Sequence, residues 1–343
     1  AAETAAPLAI EAAAEDANLE VITVTARKRV ENVQDVPIAI SVLTAQDLDK
    51  TGTYSTEQLT RLQPSIQLIS SNPRNTAVTI RGLGSVIGLT NDGLESGVGF
   101  YVDEVYYARP GSAVVDLLDI ERVEVLRGPQ GTLFGRNTLG GAVSFVTRKP
   151  SGQFSGNVGL EVGNYGRMVQ KVSVDTPKIN DVLSLTIAAR KEKQDGWLNN
   201  PAAADKWGNR DREAFKLNAK FDVSNDTKVY YSVDRSNINE TTTPMSLIKT
   251  TGYCSNWSGA VAAGLGCFPS YFNPGLGAVM TPSLQVGVPT STTSTLAPIQ
   301  ALKVTGHSWS VETPLDANNQ LKYTGSYRTM DYNDQGDYDG TAA

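Results

Sequence analysis

From Phe154 onward the sequence alternates with a period of two, and this pattern constrains the fold more than any other feature. In residues 214–223, Phe215, Leu217, Ala219, Phe221 and Val223 alternate with Lys216, Asn218, Lys220 and Asp222. Leu183, Leu185, Ile187 and Ala189 alternate with Ser184, Thr186, Ala188 and Arg190. Phe154, Val158, Leu160 and Val162 alternate with Ser155, Asn157, Glu161 and Gly163, and similar segments fall near 167–176, 228–237, 303–313 and 321–330. Successive side chains of a strand point to opposite faces, so each segment reads as a strand with one apolar and one polar face. A sandwich or a lipid-facing barrel satisfies that pattern. Segments of about ten residues match a tilted strand crossing a bilayer, whereas sandwich strands are nearer five or six. The connections 177–181, 224–226 and 314–320 are short, while 194–212 and 238–302 between them are long and only 164–166 is brief. Short turns at one end and mostly longer loops at the other are the outer-membrane arrangement. Leu183, Leu185, Phe215, Leu217 and Phe221 are then expected to face lipid. Seven or eight strands alone would close a lumen just wide enough for side chains.

The chain has 343 residues and a net charge of −6, which provides no basic face for nucleic acid. No run of eighteen apolar residues exists to form a transmembrane helix, a test to which a β-barrel is blind. Residues 1–19 are Ala-rich and acidic and read as a flexible leader, with Ala1 the expected mature end after cleavage at a small-residue site. Cys254 and Cys267 share one polar loop, which suits a disulfide in an oxidising compartment better than a metal site. No catalytic constellation is present. His307 is the sole histidine, and no nucleophile signature accompanies it. The run Asp331 to Gly336 begins like a calcium loop, but Gln335 and Ala342 stand where acids are needed, so it reads as an acidic loop.

Residues 30–150 have a different grain, that of a small α+β domain. Strands are expected at 37–43, 66–69, 77–81 and 98–105. Thr44 with Asp47 and Ser55 with Gln58 cap two short helices, the first ending at Gly52 and the second before Pro64. Ser112 caps a third, through Leu118. The domain is organised around residues 120–149. A strand with Val123 and Val125 breaks at Arg127, Gly128 and Pro129, passes Gly131, Gly135, Gly140 and Gly141, and returns as a strand over 142–147. Clustered glycines permit tight turns and close backbone approach. The Lys-Ser/Thr pair of a phosphate-binding loop is missing.

The run VLRGPQGTLFGRN, Val125 to Asn137, resembles the signature of the plug domain of TonB-dependent outer-membrane receptors. Ile80, Arg81 and Gly82 and the run Tyr101, Val102, Asp103 match further motifs of that family. Glu104 departs from it, since Gly is usual there. The resemblance implies an α+β plug followed by an antiparallel transmembrane β-barrel, of about 22 strands when complete, of which about the first seven are present here. It divides the chain into a leader at 1–19, a TonB-box region at 20–29, a plug at 30–150 and barrel from 151 to 343. Glu20, Val21, Ile22, Thr23, Val24, Thr25 and Ala26 resemble the TonB box, an extended segment that adds as a strand to the energy-transducing partner. Without that partner it is expected to be disordered or loosely held.

The resemblance further implies a bacterial outer-membrane location, with plug and N-terminus facing the periplasm. The partners it implies are TonB, with ExbB and ExbD in the inner membrane, outer-membrane lipid, a small-molecule ligand, and an accessory outer-membrane or periplasmic protein. It implies no enzyme activity and no cofactor. The plug-motif residues are Arg81, Gly82, Asp103, Arg127, Gly128, Pro129, Gly131, Gly135 and Arg136, and family plug arginines pair with barrel acids. Asn91 and Asp92 on one apical loop, with Tyr106, Tyr107 and Arg109 on a second, are the candidate ligand contacts. The expected cargo is a ferric siderophore. Alternatives are a saccharide, an aromatic compound or cobalamin by the same mechanism, or a structural barrel or adhesin with a periplasmic domain.

Overall fold

The computed structural model describes residues 22–53, 55–70, 76–84, 95–109, 118–200, 205–241 and 298–335. Cys254, Cys267, Asn91, Asp92, Glu20, Val21, the leader and most of the helix expected from Ser112 lie outside the described residues.

In the N-terminal domain the strands are β1 (Thr23–Val24), β2 (Glu31–Asn32), β3 (Ile40–Thr44), β4 (Ile66–Ser70), β5 (Thr76–Ile80), β6 (Leu83–Gly84), β7 (Val98–Val102), β8 (Val105–Tyr106), β9 (Ile120–Arg127) and β10 (Gly141–Thr147). The helices are α1 (Ala45–Thr51), α2 (Leu59–Leu62) and α3 (Gly131–Phe134). A five-stranded sheet runs in the order β3-β9-β10-β7-β8, parallel only between β10 and β7. β9 is an interior strand covered on both faces, as its buried run Val123 to Leu126 requires. One face packs Leu43, Phe100, Val123, Val125, Val143 and Phe145 against α1, α2 and the β4-β5-β6 sheet. The other packs Tyr101, Leu126 and Ala142 against Val24, Ala26 and Val36.

The local signals act as expected at both helix starts. Thr44 and Asp47 form a reciprocal capping box, and these bonds to its carboxylate hold Asp47 below the usual carboxyl range. Gly52 ends α1 in the left-handed region at φ 62°. The Ser55 amide donates to Gln58 Oε1 at 3.2 Å, opening a 3₁₀ turn that runs into α2. Two strand expectations need correction. The first strand starts at Ile40, since Pro37 has no N–H for a ladder and the chain turns there, with Ile38 N bonded to Val36 O. The strand expected over 98–105 is two, β7 and β8, folded about Asp103 and Glu104. Gly141, at φ +142°, is obligatory: a Cβ there would stand 2.2 Å from the Leu126 carbonyl oxygen.

The second unit is a wall of seven strands in sequential antiparallel order: β11 (Ser155–Val162), β12 (Met168–Asp175), β13 (Leu183–Gln194), β16 (Arg210–Asp222), β17 (Lys228–Thr241), β18 (Ile299–Pro314) and β19 (Gln320–Asp334). A small hairpin of β14 (Leu198–Asn200) and β15 (Asp205–Trp207) stands between β13 and β16. From β13 onward these strands are 12 to 16 residues long. β19 runs further than its alternation suggests. Asp331 to Asp334 pair with Lys303 to Gln300, so the calcium-like run begins as strand and not as a loop.

The alternation sorts the two faces of the wall. Ser184, Thr186, Ala188 and Arg190 of β13 are buried, as are Lys216 and Asn218 of β16. Lys216 and Asn218 reach into the N-terminal domain, which fixes this as the inner face. The outer face is one apolar band across paired strands: Val158 opposite Val172, Val174 opposite Ile187, Ile187 opposite Leu217, and Leu217 opposite Val233. Leu183, Leu185, Phe215, Leu217 and Phe221 all lie on it.

Candidate functional site

Residues 22–32 form a hairpin beneath the sheet, with Thr23 paired to Asn32 and Val24 to Glu31. Val24 and Ala26 are fully buried. Thr25 is anchored to β9: its amide and its hydroxyl both donate to Glu124 Oε1, at 2.9 and 3.1 Å. Arg122 Nε donates to the same oxygen at 2.8 Å. Glu124 is itself fully buried, and a buried carboxylate requires such partners. Lys28 closes the hairpin, its ammonium 4.5 Å above the Phe134 ring and 5.6 Å from that of Tyr101. Burial holds this lysine below its ordinary range despite the opposing pull of Glu104. Burial, with Tyr106 adding to it, pushes the Tyr101 phenol up to about 12, and its hydroxyl donates to the Phe134 carbonyl. The segment expected to be loose is therefore packed wherever it is described. Glu124 is the residue that sequence reasoning missed. A charged residue amid the apolar run of an interior strand was the available signal.

Within the sequence motif, Arg127 donates to the carbonyls of Ala39 and Ile40, and Arg136 pairs with Glu95 at 2.7 Å. Both partners belong to the N-terminal domain. No wall acid pairs with either arginine among the described residues. Arg81 and Gly82 form the turn between β5 and β6 at φ 54° and 76°.

Other residues join the domain to the wall. The Lys216 ammonium stands 3.2 Å from Asp103 Oδ2, and Asp103 also accepts from the Thr147 amide and hydroxyl. Burial alone would raise the Asp103 pKa. Lys216 and the bonds from Thr147 outweigh it and hold the carboxyl below its usual range. Lys171 meets Asp49 at 2.8 Å, Lys149 meets Glu312 at 3.5 Å, and Lys322 meets Glu104 at 2.5 Å. The polar positions of the alternating strands carried this information, but pairing across more than a hundred residues cannot be read from spacing.

The ligand candidates are placed unequally. Tyr107 is buried, with the Arg328 guanidinium 4.2 Å over its ring. Tyr106 is half-buried and accepts from Asn137 Nδ2 at 2.8 Å, while Arg109 is exposed. A cavity of about 590 Å³ separates the N-terminal hairpin and sheet from the wall, and Thr23, Thr25, Lys28, Asp103, Lys149 and Tyr230 are among its lining.

The family model for the TonB-dependent receptor plug domain matches residues 32–142. The pesticin receptor of Yersinia pestis is 28% identical over 166 residues, which is 48% of this chain and 24% of that protein. The iron-regulated outer membrane virulence protein of Vibrio cholerae is 31% identical over 150 residues, 41% of this chain and 22% of that one. The chain thus spans about a quarter of the length of these curated relatives. The ferric yersiniabactin uptake receptor of Yersinia pestis superimposes with a TM-score of 0.66 at 19% identity, over 87% of this chain and 42% of that structure. The ferripyoverdine receptor of Pseudomonas aeruginosa does so at 0.64 and 18%, over 90% and 37%. Those likenesses concern the fold, in which an α+β plug stands inside a strand wall as it does here. Signature, family match and architecture agree: residues 32–142 are a TonB-dependent receptor plug domain, and the strands that follow are similar in fold to the first part of such a receptor's barrel.

Proposed function

We propose that the chain forms the plug and part of the barrel of a receptor that takes up a ferric siderophore across the bacterial outer membrane. Of the proteins named above, one is iron-regulated and two are receptors for ferric yersiniabactin and ferripyoverdine, and a ferrioxamine B receptor of Salmonella typhimurium is 31% identical over 134 residues. The observation that carries the reading is the seating of the plug against the polar inner face of a wall whose outer face is an apolar band. Such a wall is stable with lipid outside and a polar lumen within.

In this reading the plug and hairpin face the periplasm, and residues 20–26 are the strand offered to TonB, which ExbB and ExbD energise. Asn91, Asp92, Tyr106 and Arg109 are proposed for the solute side, and Cys254 and Cys267 for a disulfide in the loop expected over 238–302. No bond of the solute is made or broken. Work done on the hairpin shifts the plug from its seated state to one that lets the solute pass. The test is uptake of radiolabelled iron, supplied as chelates of several siderophore classes, by iron-starved cells with and without the gene. Loss of uptake for one class assigns the cargo. Unchanged uptake of every class, together with no induction by iron starvation, would reject an iron carrier as cargo.

A further inference from the structure

Asp103 and Glu104 form the two-residue turn between β7 and β8, and both have positive φ, 48° and 70°. Such turns favour Asn or Asp followed by Gly, because only glycine adopts the second position at no steric cost. Asp103 suits its place and Glu104 does not. The turn keeps its form, so contacts beyond it must hold Glu104 there.

Those contacts are with the wall. Glu104 Oε1 lies 2.5 Å from Lys322 Nζ on β19, and the pair is partly buried. Lys322 is also 3.3 Å from Glu312 on β18. Glu312 is 3.5 Å from Lys149, just beyond β10, whose ammonium stands 4.4 Å over the Tyr230 ring of β17. The neighbouring Asp103 reaches Lys216 on β16. Two adjacent turn residues therefore grip the wall at β16 and β19, across the two strands between. Glu104, Lys322, Glu312 and Lys149 all line the cavity that holds Thr23 and Lys28 of the N-terminal hairpin.

We propose that Glu104 is a positioning residue that ties the β7–β8 turn to Lys322 and keeps the plug seated on the wall while the hairpin is drawn from the same cavity. The second half of this statement rests on the reading of residues 20–26 as the segment that TonB pulls. With the tie intact, pulling frees the hairpin and leaves the turn in place. Without it, the turn keeps only the grip of Asp103 on β16.

Glu104→Gly separates this role from a structural one, because glycine suits the turn better than glutamate does. If Glu104 is merely tolerated, the glycine variant is as stable as the parent and its plug exchanges no faster. If Glu104 is a tie, residues 101–107 of the complete receptor in micelles exchange amide hydrogens about fivefold faster, the upper range for a partly exposed ion pair. Lys322→Met should give the same increase, and the double variant no more than either single one. Unchanged exchange in Glu104→Gly, or additive effects in the double variant, would overturn the tie. Cross-linking of TonB to Thr23→Cys in the parent background tests the other reading on its own. Its absence would remove the pulled segment, while the exchange data still decide the tie.

Discussion

Glu124 sets how firmly the N-terminal hairpin sits. One carboxylate oxygen receives the Thr25 amide, the Thr25 hydroxyl and Arg122 Nε, and the other has no hydrogen-bond partner among the described residues. Removing the carboxylate leaves Arg122 Nε and the Thr25 amide without an acceptor, at about 1–3 kcal/mol for each unsatisfied buried group, while Arg122 Nη1 keeps Glu121. Glu124→Ala is expected to release residues 22–26, with a spin label at exposed Thr23→Cys shifting toward a mobile spectrum. An immobile label in that variant would show that Val24 and Ala26 hold the hairpin without the carboxylate. Asp103 carries a pH dependence. Its folded pKa lies below the ordinary 3.8, so the stability it lends is complete above about pH 4–5 and disappears as pH falls through the depressed value. Asp103→Asn should cost about 1–2 kcal/mol near neutrality, for the lost pair with Lys216 and the weaker bonds from Thr147. The variant's deficit should shrink in acid as the parent carboxyl protonates. A deficit that stays constant down to about pH 2 would show that charge is not what Asp103 contributes.

At the scale of elements, strand identity, number and facing were legible from alternation, because a period of two admits one assignment of faces once one face is apolar. Leu217 is the clearest case. It sits mid-strand on the outer face of β16, opposite Ile187 on one side and Val233 on the other. Leu217→Arg should cost about 2–4 kcal/mol if this is the bilayer midplane. Lys216→Ala, one residue away on the inner face, should instead loosen the plug and spare the barrel. Heat-modified electrophoretic mobility of the receptor reads the first effect, and equal tolerance of Arg at both positions would refute the facing. Helix starts were also legible, since a Thr–Asp or Ser–Gln spacing acts within a few residues. Less visible were features fixed by distant partners. The break between β7 and β8 depends on an Asp103–Glu104 turn that Lys216 and Lys322 hold from the wall. The true start of β3 depends on which residues β9 can pair, Ile40 with Leu126 through Thr44 with Arg122. The resemblance to a TonB box implied a loosely held strand, and the hairpin is instead anchored by a carboxylate 99 residues away.

Across the whole molecule, two attachments meet around one cavity: the plug to the wall, and the hairpin to the plug. The first consists of ion pairs spread over β12, β16, β18 and β19. The second is a short ladder, two buried aliphatic side chains and one carboxylate. A pull on the N-terminus loads the weaker, shorter attachment first, so the hairpin should leave before the plug moves. A strand that leaves must find new partners for its backbone, which TonB would supply by pairing with it in the function proposed above. Proline at Thr23 tests this step. Thr23 is exposed in the docked hairpin, so the docked state tolerates a ring there better than it would at buried Val24. Proline fixes φ and removes the N–H that an added strand would offer. Thr23→Pro should leave the fold and siderophore affinity nearly unchanged, because the residue lies outside both plug cores. It should reduce energised uptake to the level of a strain lacking TonB. Binding and uptake measured side by side in the same cells decide the matter. Normal uptake by a Thr23→Pro receptor that no longer cross-links to TonB would mean that this hairpin is an edge of the plug and that the partner engages the chain elsewhere.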